Sequence, residues 1–89
     1  MQYEWNENKR LVNLERHGVD FTKAMDFEWD TALETIDDRH DYGEVRWVTI
    51  RVICKKLYMM VYTIRGNKIR IISLRKANRR ESKYYEKEH

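Results

Sequence analysis

The chain has 89 residues, 18 of them Lys or Arg and 15 Asp or Glu, with three glycines and no proline. That is one domain near the lower size at which an apolar core alone holds a fold, and it leaves little room for a deep enclosed pocket. The net charge of +3 is unevenly spread: residues 1–44 carry 12 acids and 5 bases, residues 45–89 carry 3 acids and 13 bases.

Blocks of opposite sign either attract one another inside the fold or serve an anionic partner. A single cysteine, Cys54, excludes an internal disulfide. No run is apolar and long enough to span a membrane, and the N-terminus does not read as a signal peptide, so the expectation is a cytoplasmic protein without membrane contact. His17, His40, His89 and Cys54 show no zinc-like spacing, and neither a metal nor another cofactor is expected.

In chain order, residues 2–5 suit a short edge strand. Asn6 is a natural N-cap for a helix reaching His17, with Leu11 and Leu14 as its apolar stripe and Gly18 at the left-handed position that ends many helices. A second short helix is expected from Asp20 or Phe21 to about Phe27. Residues 33–37 form a weak strand, whereas 45–54 and 57–65 are long and rich in β-branched and aromatic residues. A Gly66-Asn67 turn leads into a strand over 68–75, and Ala77 to Glu86 returns to helix, with Ala77 or Asn78 near its start. The order is β-α-α-β-β-β-β-α, an α+β domain over residues 1–89 with an antiparallel sheet backed by helices.

A two-residue turn at Gly66-Asn67 sets Arg65 opposite Lys68, Thr63 opposite Arg70, Val61 opposite Ile72 and Met59 opposite Leu74. A second such turn at Lys55-Lys56 adds Arg46 opposite Arg65 and Val48 opposite Thr63. One sheet face then carries Glu44, Arg46, Thr63, Arg65, Lys68 and Arg70 at one end, with Val48, Ile50, Val52, Met59, Val61, Ile72 and Leu74 at the other. The opposite face holds Trp47, Tyr58, Met60, Tyr62, Ile64, Ile69 and Ile71 for packing on helices, with Arg51 and Arg75 toward a margin. Trp5 and Trp29 are further core candidates.

The densest cationic stretch is IRGNKIRIISLRKANRRESKYY, Ile64 to Tyr85, which holds eight Lys or Arg and one acid, Glu81. Cations at fixed spacing along a strand and helix suit a phosphate backbone, so RNA is the first partner to consider. Tyr84 and Tyr85 offer rings for base stacking, although packing on the core is expected of at least one.

Three segments together resemble one family. The opening YEWNENKRLVNLERHGVDFTKA, the central DDRHDYGEVRW and the strand pair YTIRG and KIRIISLRKANRRE are similar, in this order, to BrnT-type toxins of type II toxin-antitoxin pairs. The resemblance implies a RelE-like ribonuclease fold and a metal-independent RNA endonuclease that arrests growth. It also implies a BrnA-type ribbon-helix-helix antitoxin as partner in a hetero-oligomer, with operator DNA contacted only through that partner. Two features depart from the family pattern: the hairpin at Cys54-Lys55-Lys56 is short and lacks the usual glycine, and Leu74 stands where a small residue is common.

Metal-free RNA cleavage needs a base for the 2′-hydroxyl proton, cations for the phosphorane and an acid for the leaving 5′-oxygen. Arg46, Arg65 and Arg70 are the candidates for the second role. Lys68, Arg75, Arg79 and Arg80 extend the RNA track. Glu44 is a candidate base, but beside arginines its pKa should fall, which equally suits an organiser of guanidinium groups. His40, in an acidic loop, is either a proton donor or a solvated loop residue; His17 fits a helix cap, and His89 has no assigned role. The alternative to a nuclease is a basic module that binds RNA or an acidic protein without chemistry.

Overall fold

The structure is a computed structural model and describes residues 2–27, 32–39 and 41–88. Its elements are β1 (Gln2–Trp5), α1 (Glu7–His17), a 3₁₀-helix (Phe21–Asp26), β2 (Leu33–Ile36), β3 (Trp47–Ile53), β4 (Lys56–Arg65), β5 (Lys68–Lys76) and α2 (Arg79–Glu88). They form an α+β fold around one five-stranded sheet in the order β1-β5-β4-β3-β2. All pairs are antiparallel except β1 with β5, which run parallel.

The helix ends follow the local chemistry expected of them. The Asn6 side chain accepts from Lys9 N at 3.1 Å, and Gly18, at φ 70°, donates its N–H to Leu14 O at 2.8 Å. Asp20 caps the 3₁₀-helix by accepting from Thr22 N. Asn78 and Glu81 cap α2 reciprocally: Glu81 N donates to Asn78 Oδ1 at 2.8 Å, and Asn78 N to Glu81 Oε1 at 2.9 Å.

The core lies between one sheet face and the N-terminal helical segments. Met60, Tyr62, Ile69, Ile71 and Leu74 pack on Val19, Phe21, Ala24 and Phe27, with Trp5 and Trp47 at the edge. Trp5 meets Phe21 edge-on, with ring centroids 6.1 Å apart. Ile64, expected in this layer, is exposed at the end of β4, and Trp29 lies outside the described residues.

Arg51 sits within the core rather than at a margin, fully buried. Its guanidinium bonds Thr49 Oγ1 at 2.7 Å, pairs with Glu34 and lies 5.2 Å from the Phe27 ring centroid. Burial pulls its pKa to about 10, which leaves it charged at neutral pH, and Glu34 offsets part of that cost.

The anticipated stripe of α1 does not face the core: Leu11 and Leu14 are exposed, and Asn13 is the helix's buried residue. The reason is the end of β1. Its pairing with β5 stops at Trp5 and Ile71, leaving the backbone of Leu74 to find other partners. The Asn13 amide supplies them, donating to Leu74 O at 2.7 Å and accepting from Leu74 N at 3.2 Å, and it also reaches Val19 O at 3.0 Å. With Asn13 turned inward, Leu11 and Leu14 turn out.

Both hairpins depart in detail from the expected registers. The β3–β4 turn is Cys54-Lys55, both at positive φ (49° and 71°), one residue earlier than expected. Positive φ at both central residues matches the twist of the strands, and here it occurs without glycine or asparagine. Val48 therefore faces Val61 rather than Thr63. The slip is two residues, so each side chain keeps its face. In β4–β5 the expected pairs Arg65–Lys68 and Thr63–Arg70 are present, but the register shifts at Val61/Tyr62 and Ile72 is the additional residue. Leu74 consequently enters the core opposite Met60, and Arg75 moves to the other face opposite Met59.

Replacing Asn13 by Ala leaves buried backbone groups of Leu74 unpaired, and we expect it to destabilise the fold by about 2 kcal/mol in urea unfolding. A loss under about 0.5 kcal/mol would show that the amide does not hold α1 to β5.

Candidate active site

The sheet face away from the core carries the cations. Its cationic end is assembled from the approach to β3, the end of β4 and the start of β5. Gly66, at φ 61°, turns the chain so that Arg65 and Lys68 face each other. Thr63, buried beside them, donates its hydroxyl to Val45 O at 2.6 Å and ties the segment before β3 to β4.

That tie brings Glu44 between two arginines. Arg46 Nε donates to Glu44 Oε2 and Arg65 Nη2 to Glu44 Oε1, each at 3.3 Å. Desolvation works against the charged carboxylate, but the hydrogen bonds and charges of Arg46 and Arg65 outweigh it and hold Glu44 below its ordinary pKa. A carboxylate so held is ionised and weakly basic, which fits an organiser of guanidinium groups better than a strong proton acceptor. Arg70, opposite Thr63, shares the face, and its Nη1 donates to Glu4 Oε2 at 2.6 Å across the parallel β1–β5 pair.

A second cluster adjoins this one. Asp37 Oδ1 accepts from Arg39 Nε at 2.8 Å and from Arg39 N at 3.3 Å; its Oδ2 accepts from Arg39 Nη2 at 2.9 Å and Tyr42 Oη at 3.1 Å. The side chain is 1 % exposed. The Arg39 hydrogen bonds are the main cause, ahead of the opposing desolvation, of a pKa far below the carboxylate range; Asp37 in turn raises Arg39. The Tyr42 ring lies under Arg46, 3.9 Å from its Cζ, and Asp37 N donates to Arg46 O at 2.8 Å. One buried carboxylate thereby fixes both a tyrosine and the arginine stacked on it.

The structure thus gathers Glu44, Arg46 and Arg65 directly and sets Arg70 and Lys68 on the same face. Arg75 lies further along, clamped by Glu81 through Nη1–Oε1 at 2.9 Å and Nη2–Oε2 at 2.8 Å. Arg79 and Arg80 are exposed in the first turn of α2, apart from the Glu44 cluster. His40 and His89 lie outside the described residues. His17 does not gain the proton affinity expected of a C-terminal cap, since desolvation and then Arg75 and Arg16 lower its pKa. Tyr85 is buried and Tyr84 exposed.

Tyr42 and the Asp37–Arg39 pair were not among the sequence candidates. Their signal is the spacing itself: an acid two residues before an arginine in a tight loop can accept from both its backbone and its side chain.

The lowered pKa of Asp37 sets an acid limb for stability. A group depressed in the folded state contributes above its unfolded pKa of about 3.9, and the contribution is lost as pH falls below it. Asp37→Asn should therefore be less stable than the parent at pH 7, with the gap in urea midpoint narrowing at pH 3. A gap of constant size at both pH values would contradict this origin.

No curated protein matches the chain. Residues 5–81 match the family described as the ribonuclease toxin, BrnT, of type II toxin-antitoxin systems. That span takes in the end of β1, the Asp37–Arg46 cluster and every strand that carries a candidate arginine, and the chain belongs to this family.

Proposed function

We propose that the chain is an RNA endonuclease that needs no metal ion. The observation that carries this is the convergence of Arg46 and Arg65 on Glu44, with Arg70 and Lys68 beside them on one sheet face. Glu44 engages each arginine through a single nitrogen, so the rest of each guanidinium is available to non-bridging oxygens of a phosphodiester. As the 2′-oxygen attacks phosphorus, charge gathers on those oxygens. Donors already in place stabilise it without reorganisation, which is the usual source of the largest rate gains. Arg46 is held most firmly, between the Tyr42 ring and Glu44, whereas the Arg65 side chain is 54 % exposed and reaches outward.

In this reading a BrnA-type antitoxin occupies or covers the cationic face, and the protein acts on messages in the cytoplasm. Glu4 and Glu44 tether the arginines but leave the face positively charged, which favours an anionic ligand in either role.

With purified protein in EDTA, single-stranded RNA should be cut internally. Arg65→Ala should slow cutting about 100-fold while RNA affinity changes by no more than a few-fold. A non-catalytic binder gives another pattern: no cutting by the parent, and graded losses of affinity in Arg46→Ala, Arg65→Ala and Arg70→Ala, each with a shallower salt slope. RNA left intact in EDTA but cut on adding a divalent ion would overturn the metal-free mechanism.

A further inference from the structure

Next to the cationic end, the same face holds an open groove of about 260 Å³. Val48 and Met59 form its apolar floor. Arg39, fastened to Asp37, stands on one side, and Arg75, clamped by Glu81 at the start of α2, on the other. Asp38 is at the rim.

The groove differs in charge from its neighbour. The cationic end sets Arg46, Arg65, Lys68 and Arg70 against Glu4 and Glu44. The groove sets only Arg39 and Arg75 against Asp37, Asp38 and Glu81, an excess of negative charge. A phosphate is attracted to the first and repelled from the second. A flat, neutral, partly apolar group suits the second.

The two zones are joined through one ring, because Tyr42 lies under Arg46 and donates its hydroxyl to Asp37. They are also close. Val48 follows Arg46 by two residues, roughly 7 Å along the strand. That is the scale on which a nucleotide separates its phosphate from its base.

We propose that this groove is a base subsite, and that it takes an unstacked guanine of the RNA whose phosphate lies at Arg46 and Arg65. This rests on the nuclease reading for the position of the phosphate. The base lies on Val48 and Met59. Arg39 spends Nε and one hydrogen of Nη2 on Asp37, and its side chain is 68 % exposed, so the remaining edge of a rigidly held guanidinium faces outward. Guanine presents the adjacent acceptors O6 and N7 that match such a fork; uracil has no adjacent pair of acceptors, and cytosine, whose O2 and N3 are adjacent, lacks the second pair of N–H donors that guanine carries at N1 and N2. The Asp38 carboxylate at the rim is an acceptor for guanine's N1 and N2 hydrogens. Specificity therefore resides in Arg39, and chemistry in the arginines at the other end.

The test uses the full chain and two 2′-O-methylated trinucleotides, UUU and UGU, which bind but lack the hydroxyl needed for cutting. UGU should bind about tenfold more tightly than UUU and shift the methyl resonances of Val48 and Met59. Arg39→Lys keeps the charge but loses the fork, and Val48→Phe fills the floor without touching the Asp37–Arg39 pair. Each should abolish the preference, bringing UGU affinity to within about twofold of UUU measured on the same variant. Binding of UGU with both methyls unmoved, or a preference that survives both variants, overturns the subsite. Cutting of unmodified UGU is followed in parallel: a parent protein that shows the preference but leaves RNA intact supports the subsite and removes the nuclease reading instead.

Discussion

Guanidinium groups crowded on one small sheet repel one another, and this fold exists because nearly every one of them is fastened to a carboxylate. Glu44 holds Arg46 and Arg65, Glu4 holds Arg70, Glu34 holds Arg51, Glu81 holds Arg75 and Asp37 holds Arg39. The tethers do unequal work. Exposed pairs such as Glu44–Arg65 contribute little to stability, on the order of 0–1 kcal/mol, and matter mainly for where they aim the charge. Buried members are different: Asp37 and Arg51 could not remain charged without their partners, so their pairs are conditions of folding.

This arrangement explains the uneven charge of the chain. The carboxylates that reach Arg46, Arg51, Arg65 and Arg70 come from Glu4, Glu34 and Glu44 in the acidic half, and the arginines from the basic half. Part of the asymmetry is therefore internal to the fold. What remains lies at both ends of the sheet and on α2, where Lys55, Lys56, Lys68, Lys76, Arg79, Arg80, Lys83 and Lys87 have no ion pair among the described residues. The internal explanation holds for these pairs, and an anionic partner is the proposal for the remaining cations.

The elements themselves were legible in the sequence because their signals are local. The Asn6 and Gly18 caps, the Gly66-Asn67 turn and the alternation in β3, β4 and β5 are properties of a few adjacent residues. The grouping of Arg46 with Arg65 was also anticipated, but by a direct cross-strand opposition that does not occur. Glu44 makes the connection instead, and the faces came out as expected only because the β3–β4 slip is even. What was not legible depends on distant partners. The parallel pairing of β1, and with it the Glu4–Arg70 bond, needs the topology. The β5 irregularity that sends Leu74 inward and Arg75 outward, and the inward turn of Asn13, depend on where β1 stops. Arg51 in the core follows no local rule, since its partners Glu34 and Phe27 are set by the packing. The fixed Asp37–Arg39–Tyr42 cluster had a local signal in its spacing, yet its link to Arg46 appears only when the Tyr42 ring is placed beneath it.

In the proposed reading, the face divides the recognition of a nucleotide between charge and shape, and the chemistry lies at the charged end. In that proposal the arginines there stabilise attack by the RNA's own 2′-oxygen on the adjacent phosphorus. The most direct measurement is cleavage of a synthetic RNA carrying a single 2′-deoxynucleotide immediately 5′ of a mapped cut, with analysis of the ends formed on the unmodified strand. The account predicts that the substituted bond is not cut and that the native cut leaves a 2′,3′-cyclic phosphate and a 5′-hydroxyl. Cleavage of the deoxy-substituted bond at the native rate would contradict it.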